Sequence, residues 1–480
     1  MRRWLLRALG AVALVFATVL LVRAYDASRL PDLKPWHRRA PRSEPTAGEL
    51  DAGMDLAGYL RREAAVFREV REIEAATGED DRNPGNRYYT GSALNPGRFA
   101  TDWNRTFELV PERVRGGALL IHGLTDSPYS MRHLAEIFRR QGFYVLCLRM
   151  QGHGTVPAGL TAASWQDWLA AVRMGARHVR ARAGGGKPFV LVGYSNGGGL
   201  AVKYALDALD SAALPRPGRL ILLSPMIGVT PFARFSALHG FLGVIPGFEK
   251  AGWVDVLPEY NPFKYTSFPA HGGRQIYELT SALQEQVRRA SETGRIAGLA
   301  PILTFQSLAD DTVSTRAVAE KLYDRLPANG SELVLFDVNR QAYLRPFLLP
   351  GLDAELAARL KGPPRSYGLS LVTNAGTATS EVVARSFAAV TGAASTRPLG
   401  LSWPPQMYSL SHVAIPFPVT DPLYGLAPDP REFFGARLGT LTPRGERSLL
   451  SVPTQQLMRA TCNPFFPYLE SRVREWLGGG

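Results

Sequence analysis

The sequence predicts an α/β fold in which a mostly parallel sheet is flanked by helices. Apolar, β-branched segments alternate with amphipathic segments between Thr106 and Phe336. Strands that are separated by helices are typical of a parallel sheet covered on both faces. A glycine-rich turn at 193–199 also joins one strand directly to a helical segment. The chain has 480 residues and is 45% hydrophobic, which is enough for one large domain with insertions or for two domains.

The individual elements follow from the spacing of the apolar residues, since short apolar runs predict strands and a period near 3.6 predicts helices. The predicted strands span 107–110, 118–121, 143–148, 189–192, 219–223, 301–305 and 332–336. The predicted helices span 55–76, 130–141, 164–181 and 315–326.

Two segments interrupt this alternation within a main domain predicted at 106–480. The segment at about 225–300 is rich in aromatic residues and lies between two core strands. It is expected to rise above the sheet, where it could cap a site and hold an acyl chain; a helical insertion with its own small core is the alternative. The second segment, at about 338–405, carries no assignable motif, and either covers the site or flanks the sheet.

The N-terminal segment has the composition of a secretory signal or signal anchor. Three arginines precede an uncharged segment at 8–22. That segment is short for a membrane span of about 20 residues, but the apolar residues before Arg7 lengthen it if the arginine reaches the interface. We therefore expect residues 1–25 to be an uncleaved anchor, residues 26–105 to be a helix and linker, and the catalytic domain to be extracytoplasmic (periplasmic). Secretion after signal cleavage is the alternative.

The net charge bears on which molecules the protein binds, and the cysteine content bears on disulfide bonds. The formal net charge is +13, but zinc-finger spacing and RNA-binding aromatic motifs are absent from the sequence, which argues against nucleic acid. Anionic lipid is the better match for a basic surface. The only cysteines are Cys147, which is expected to be a buried free thiol, and Cys462, so the sequence has no disulfide framework.

The segment Gly193-Tyr194-Ser195-Asn196-Gly197 fits the pattern G-x-S-x-G. An apolar run precedes it and a helix-compatible run follows, which is the strand–turn–helix context of a nucleophile elbow. Such a turn strains the serine backbone, so its neighbours need glycine. The hydroxyl then projects at the positive end of a helix, where developing negative charge is stabilised. We predict that Ser195 is a nucleophile; a tight turn with a solvated serine is the alternative.

A serine nucleophile needs a base, and the base needs a carboxylate that holds its tautomer. In this topology the chain order is serine, acid, histidine. Of the eight histidines, only His412 follows the last strand of the alternating region. His239 and His271 also follow Ser195, but they lie in the aromatic segment. The base is therefore expected to be His412.

The acid is expected in the loop after the strand at 301–305. That loop contains two adjacent aspartates, Asp310 and Asp311. We favour Asp310 as the partner of His412, with Asp311 as the alternative. The remaining aspartate is expected to be solvated or to cap the next helix near Ser314.

The tetrahedral oxyanion of acyl transfer needs fixed backbone N–H donors. One is expected from Asn196, directly after the nucleophile. The other is expected in the loop at 122–127, after the strand at 118–121, where Leu124 follows a glycine that allows close approach of the backbone. The side chains of His122 and His153 are given no catalytic role.

These residues resemble the α/β-hydrolase superfamily, and more narrowly the monoacylglycerol lipase and lysophospholipase-like serine hydrolases, also grouped with serine aminopeptidase-type hydrolases. The resemblance covers about 107–418 and rests on the segments at 122–127, 152–154 and 193–197, the Asp310 loop and His412. It implies an α/β-hydrolase fold with a mostly parallel central sheet, a cap insertion and a second long insertion before the catalytic histidine. Two features depart from the family pattern: the histidine comes late, and the region before Thr106 lies outside it.

The combined observations predict an enzyme that cleaves carboxylic (acyl) esters through a Ser-His-Asp triad and an acyl-enzyme. No metal or organic cofactor is expected. The membrane segment and the aromatic segment favour a lipid-like, acylglycerol or lysophospholipid substrate. A serine peptidase or amidase, an acyltransferase, and an inactive binding module on the same scaffold are the alternatives.

Overall fold

The structure, a computed structural model, describes residues 25–228, 248–348, 364–405, 407–441 and 450–478, with isolated residues between 3 and 22. Most of the predicted anchor at 1–25, and part of each predicted insertion (229–247 and 349–363), therefore lie outside the described residues. Within the described ranges, no helix is long and apolar enough to cross a membrane. The anchor has no support from the structure and stays a prediction.

One large sheet organises the described part of the chain. Its ten strands, with β6 and β7 forming a separate pair, have the order β1-β3-β2-β4-β5-β8-β9-β10-β11-β12. The strands are β1 Phe107–Leu109, β2 Gly116–Ile121, β3 Phe143–Leu148, β4 Phe189–Tyr194, β5 Arg219–Leu223, β6 Trp253–Asp255, β7 Phe268–Pro269, β8 Ile302–Ser307, β9 Glu332–Phe336, β10 Gly368–Asn374, β11 Glu381–Phe387 and β12 Ala394–Ser402. Pairing is parallel from β3 through β10 and antiparallel for β1, β11 and β12. The predicted mostly parallel sheet is confirmed.

Helices cover both faces of this sheet, as a parallel sheet requires. The described helices are α1 Pro35–Arg38, α2 Ala47–Asp51, α3 Leu56–Ala75, α4 Arg132–Arg140, α5 Trp165–Ala183, α6 Asn196–Asp210, α7 Ala270–Glu292, α8 Thr315–Lys321, α9 Thr454–Arg459 and α10 Phe466–Trp476. Apolar residues of α5, α6, α7 and α8 share one buried cluster with one face of the sheet. Residues of α4 and α10 share another with the opposite face.

Most predicted elements match the structure within two residues, and the strands predicted at 143–148, 219–223 and 332–336 have the observed bounds. One helix begins two residues later than predicted, and another predicted helix is too long at its C-terminal end. The helix predicted from 130 begins at Arg132, after the short 3-10 turn Pro128–Met131. The helix predicted to 326 ends at Lys321, before the 3-10 turn Tyr323–Arg325. Both cysteines are free and buried.

The described part of the second long segment lies at the edge of the sheet. β10 pairs with β9, and β11 and β12 extend the sheet outward. Of the two alternatives left open by the sequence, these residues therefore flank the sheet. Of these three strands, β12 is at the edge of the sheet, is largely exposed and lacks the alternation of buried and polar residues that predicts a strand. β10 was also missed, although it is buried over most of its length.

The aromatic segment at about 225–300 does not lie wholly above the sheet. Its last third forms α7, which connects β5 to β8 and packs against α6. Leu279, Leu283 and Val287 of α7 are fully buried in the main core. The spacing of these three residues fits one helix face. The helix agrees with the alternative of a helical insertion, but it belongs to the main core and not to a small core of its own.

The N-terminal region is joined to the main domain through a buried ion cluster. Arg149, directly after β3, is fully buried and bonds to Glu44 through Nη1 (2.8 Å) and Nη2 (2.9 Å). Its Nε lies 3.1 Å from Oε2 of Glu63 on α3. Glu63 also accepts from the backbone N–H (3.1 Å) and the hydroxyl (2.7 Å) of Thr106. A region that falls outside the family resemblance is therefore packed tightly against the loop after β3.

Candidate active site

Ser195 occupies the sharp turn between β4 and α6. Its backbone has φ 54° and ψ −117°, a strained conformation for a residue with a side chain. A Cβ on Gly193 would lie 2.4 Å from Gly197 O, and a Cβ on Gly197 would lie 2.2 Å from Ile121 O. Only glycine fits at both positions, because the motif, α6 and the end of β2 approach at backbone contact distance.

Hydrogen bonds to the neighbouring strand hold this turn. The Ser195 N–H donates to Leu223 O at 2.9 Å, and the Met226 N–H donates to Ser195 O at 2.8 Å. The backbone on both sides of the serine is thus tied to the carboxyl end of β5. These bonds fix the strained turn in place, as expected at a preorganised site.

His412 and Asp310, which are 102 positions apart, meet at the carboxyl edge of the sheet. His412 Nδ1 lies 2.8 Å from Asp310 Oδ2. The imidazole stacks on the ring of Tyr194, with centroids 5.4 Å apart and planes at 30°. Because Tyr194 directly precedes Ser195, this stacking brings the histidine beside the turn. Among the described contacts, the Ser195 hydroxyl and His412 share no hydrogen bond, although catalytic bonds are often long before substrate binds.

Asp310 is held in one orientation by four donors. Oδ1 accepts from the N–H groups of Thr312 (2.8 Å) and Val313 (2.9 Å), and Oδ2 accepts from Gln306 Nε2 at 3.0 Å as well as from His412. Burial raises the pKa of this carboxyl, but the charge and hydrogen bond of His412 and the two backbone donors outweigh it and hold the pKa below its usual value. Asp310 is therefore ionised at neutral pH.

The neighbouring aspartate has a different environment. Asp311 is exposed, and the N-cap of α8 is Ser314, whose hydroxyl accepts from the Ala317 N–H. Asp311 therefore does not cap α8. Geometry places Asp310, and not Asp311, against the histidine.

The late position of His412 in the chain is explained by the path of the backbone. After β12 the chain returns to the carboxyl edge of the sheet, where Leu410 O accepts from Ser307 Oγ at 2.9 Å. The Ser411 hydroxyl donates to Arg459 O at 2.8 Å. The three extra strands thus add to the edge of the sheet, and the histidine still reaches the end of β8.

The loop after β2 lies against the nucleophile. A Cβ on Gly123 would lie 3.1 Å from Ser195 Cβ and 3.1 Å from the Tyr194 ring. The next residues are Leu124, which is partly buried, and Thr125, with φ 60°. In the described ranges, neither the Leu124 N–H nor the Asn196 N–H has a hydrogen-bond partner. Asn196 opens α6, whose first N–H groups point out of the helix.

His122 joins this loop to the loop after β3. Its Nδ1 lies 2.9 Å from Gly123 O and therefore donates, while Nε2 accepts from the Met150 N–H at 3.0 Å. Both nitrogens are used by the neutral ring, so protonation would break the bond to Met150. Burial lowers the pKa of His122 to about 3. Its side chain therefore supports the loop at 122–127.

The stability of the folded chain is expected to fall as the pH drops from about 7 to about 5. Between the folded pKa of His122, about 3, and its ordinary value, 6.5, the unfolded chain binds a proton that the folded chain does not. This stabilisation is fully present above the ordinary value and is lost at lower pH. For His122 alone the loss is about 2 kcal/mol.

Urea denaturation at the two pH values measures this loss. His122→Gln carries no titrating group at the position, so its unfolding free energy should fall by about 2 kcal/mol less than that of wild type. An equal fall in both proteins would contradict the linkage to His122.

Two residues of the site were not predicted from the sequence. Tyr194 orients His412 by stacking, and its hydroxyl contacts His412 O at 3.4 Å. Gln306 donates to Asp310. Tyr194 directly precedes Ser195, and Gln306 lies near the end of β8, just before the loop of Asp310. Their position next to predicted site residues was the only sign of a role in the sequence. Among the described residues, no group of three or more histidine, cysteine, aspartate or glutamate side chains could hold a metal ion.

One known family matches the part of the chain that contains Ser195. The family described as serine aminopeptidase, S33, matches residues 112–248, which include the elbow and the loop after β2. The chain has an α/β-hydrolase fold. In this α/β-hydrolase, the family match ends before the Asp310 loop and His412. The assignment of these two residues to the site therefore rests on their geometry alone.

Individual relatives cover limited parts of this α/β-hydrolase. A thermostable monoacylglycerol lipase from Bacillus sp. (strain H-257) is 36% identical over 89 residues, which is 18% of this chain and 34% of the relative. The matched segment thus spans about a third of that curated protein. Among solved structures, a chain from the metagenome-derived lipolytic enzymes LipS and LipT is 22% identical with a TM-score of 0.39, covering 54% of this chain and 98% of its own.

A soluble variant of monoglyceride lipase from Saccharomyces cerevisiae is a further solved structure that is similar to part of this α/β-hydrolase. It is 15% identical with a TM-score of 0.39, and it covers 48% of this chain and 82% of its own. Resemblance at these scores does not bear on the substrate of the present chain.

Proposed function

We propose that this α/β-hydrolase cleaves carboxylic esters through an acyl-enzyme. Ser195 is the nucleophile, His412 the general base and acid, and Asp310 the carboxylate that orients the imidazole. The backbone N–H groups of Leu124 and Asn196 hold the oxyanion. The observation that carries the proposal is the 2.8 Å contact between His412 Nδ1 and Asp310 Oδ2 beside the strained turn of Ser195.

The chemistry follows from this arrangement. With Nδ1 bonded to Asp310, Nε2 is the nitrogen that takes the Ser195 proton as Oγ attacks the ester carbonyl. The carbonyl oxygen becomes an oxyanion that the two unpartnered N–H groups can bind. The imidazolium then protonates the leaving alcohol, and the acyl group remains on Ser195. Water attacks the acyl-enzyme with His412 again as base, which releases the acid and restores the serine.

A lipid-like or acylglycerol ester is the proposed substrate class. Support comes from the monoacylglycerol lipase named among the relatives and from the aromatic composition of the segment before α7. A peptidase, an amidase or an acyltransferase would use the same three residues, since each begins with the same acyl transfer to serine. Comparing turnover of an ester, its matched amide and an added alcohol acceptor separates these activities.

Labelling by a fluorophosphonate probe tests the nucleophile. The wild type is expected to label and to hydrolyse short-chain esters, and Ser195→Ala is expected to do neither. Ser211→Ala, which removes a hydroxyl at the opposite end of α6, is the matched control and should behave as wild type. A folded wild type that neither labels nor hydrolyses esters would refute the proposal.

We also propose, from the sequence alone, that the chain is held at a membrane by residues 1–25 with its catalytic domain outside the cytoplasm. The arginines before the apolar segment support that orientation. Fractionation of cells that express the full chain, with protease treatment of spheroplasts, tests it. Recovery of the chain in the soluble cytoplasmic fraction would refute it.

A further inference from the structure

Two cations flank the proposed active site, and neither is in an ion pair with a carboxylate that the structure describes. Lys264 lies between β6 and β7 and is partly buried; its ammonium donates to Thr125 Oγ1 at 3.1 Å. Arg459 is the last residue of α9, and its Nη2 donates to Thr312 Oγ1 at 2.7 Å. Among the residues that the structure describes, neither side chain forms an ion pair.

Each cation is attached to a different part of the catalytic machinery. Thr125 directly follows Leu124, so Lys264 contacts the loop that supplies the proposed oxyanion donor. Thr312 donates its backbone N–H to Asp310 at 2.8 Å, so Arg459 contacts the loop of the acid. The carbonyl of Arg459 also accepts from Ser411, the neighbour of His412. The two charges are therefore held by two different loops of the proposed site.

The charges are close enough to influence each other. Burial lowers the pKa of the Lys264 ammonium, Asp126 raises it, and the charge of Arg459 lowers it further. Asp126 is the carboxylate whose charge acts on Lys264, but the two form no ion pair among the described residues. Asp126 is buried and accepts from the Ser127 N–H at 2.9 Å. Burial raises its pKa, and the charge of Lys264 opposes that shift.

The two cations face one carboxylate, Asp126, whose charge acts on Lys264, so an anion bound between them would offset the repulsion that remains. We propose that Lys264 and Arg459 bind an anionic group, phosphate or carboxylate, that the ester substrate carries near its scissile bond. This inference rests on the proposed function and deepens it: the site would select anionic acyl esters over neutral ones. A guanidinium and an ammonium together suit either anion.

Matched pairs of esters test this selection and distinguish the source of the anion. Butyryl glycerol and butyryl glycerol phosphate differ by a phosphate on the alcohol side. The 4-nitrophenyl esters of butyrate and of glutarate, the latter as its half-ester, differ by a carboxylate on the acyl side. In one of these pairs, kcat/KM is expected to favour the anionic member, and added salt should weaken that preference.

Substitutions of Lys264 and Arg459 test whether these two cations cause the preference for anionic esters. Lys264→Met and Arg459→Gln should each lower the ratio of anionic to neutral kcat/KM by about tenfold, while Lys264→Arg keeps the charge and should retain most of it. Arg289→Gln, on the exposed end of α7 that leads away from the site toward β8, is the matched control. A ratio that is equal in wild type and both neutralised variants would overturn the inference.

Binding to the Ser195→Ala form tests the cations independently of turnover. Calorimetry is expected to show octyl phosphate or decanoate binding more tightly than octyl glycerol, and Lys264→Met should remove most of the difference. Equal affinities for charged and neutral probes would overturn the inference even if esters are hydrolysed. Preferential binding of the anion with no ester hydrolysis by wild type would instead refute the proposed function and leave the anion site standing.

Discussion

Replacing His412 with alanine is expected to lower kcat for ester hydrolysis by about 10⁴- to 10⁶-fold while the chain stays folded. The imidazole is the group that can take the proton from Ser195, and the residual rate would come from the oxyanion donors and from substrate binding. Steady-state kinetics on a short-chain ester, with circular dichroism to check folding, measures this effect.

The adjacent aspartates provide the matched comparison. Asp310→Asn is expected to lower kcat by about 10³- to 10⁴-fold, because an amide in place of Oδ2 cannot hold the Nδ1–H tautomer of His412. Asp311→Asn changes an exposed side chain and should leave kcat within about twofold of wild type. The proposed acid would be wrong if Asp311→Asn were the more damaging variant, or if both variants kept full activity.

Replacing Arg149 with methionine is expected to destabilise the folded chain by about 3–5 kcal/mol. The guanidinium is fully buried and neutralises Glu44 and Glu63 together. Its removal would leave two carboxylates in a buried environment without a counter-charge. The free energy of unfolding, obtained from urea titration at neutral pH, measures the change, and unfolding of the N-terminal region should accompany it.

Arg173 provides the matched control. It also joins the N-terminal region to the core, with nitrogen–oxygen distances of 3.4 Å to Asp51 and 3.5 Å to Asp207, but its side chain is 28% exposed. Arg173→Met is therefore expected to cost less than about 1 kcal/mol. If both variants lose the same free energy of unfolding, burial of the Arg149 cluster does not make it more stabilising than the partly exposed ion pairs of Arg173.

The strands and helices that form the centre of the sheet were predictable because their apolar spacing is a local property. β3, β5 and β9 were predicted at their observed bounds. β10, β11 and β12 were not predicted: β12 is an exposed edge strand whose residues need not alternate, whereas β10 and β11 lie inside the sheet. The helix α7 agrees with the alternative of a helical insertion, but its three buried residues pack in the main core and not in a small core of their own.

At the candidate site, the sequence could order the residues but could not measure the distances between them. The order of elements pointed to His412, and two adjacent aspartates remained open. The folded loop separates those aspartates physically: Asp310 Oδ1 accepts the N–H groups of its own loop, which aims Oδ2 at the histidine. Adjacent residues in a loop can point their side chains in different directions, and the sequence does not show which of the two faces the histidine.

The sequence by itself determined the elbow of Ser195 and the alternation of strands and helices, because both depend on neighbours along the chain. Only the tertiary structure decided the partners of charged side chains that are far apart in sequence. Arg149 is buried between two glutamates of the N-terminal region, whereas Lys264 and Arg459 contact threonines of the site and form no ion pair with a carboxylate in the described part of the chain. A sequence does not show whether a charged residue is paired. The contribution of the charge to stability depends on its burial and on which segments the fold brings beside it.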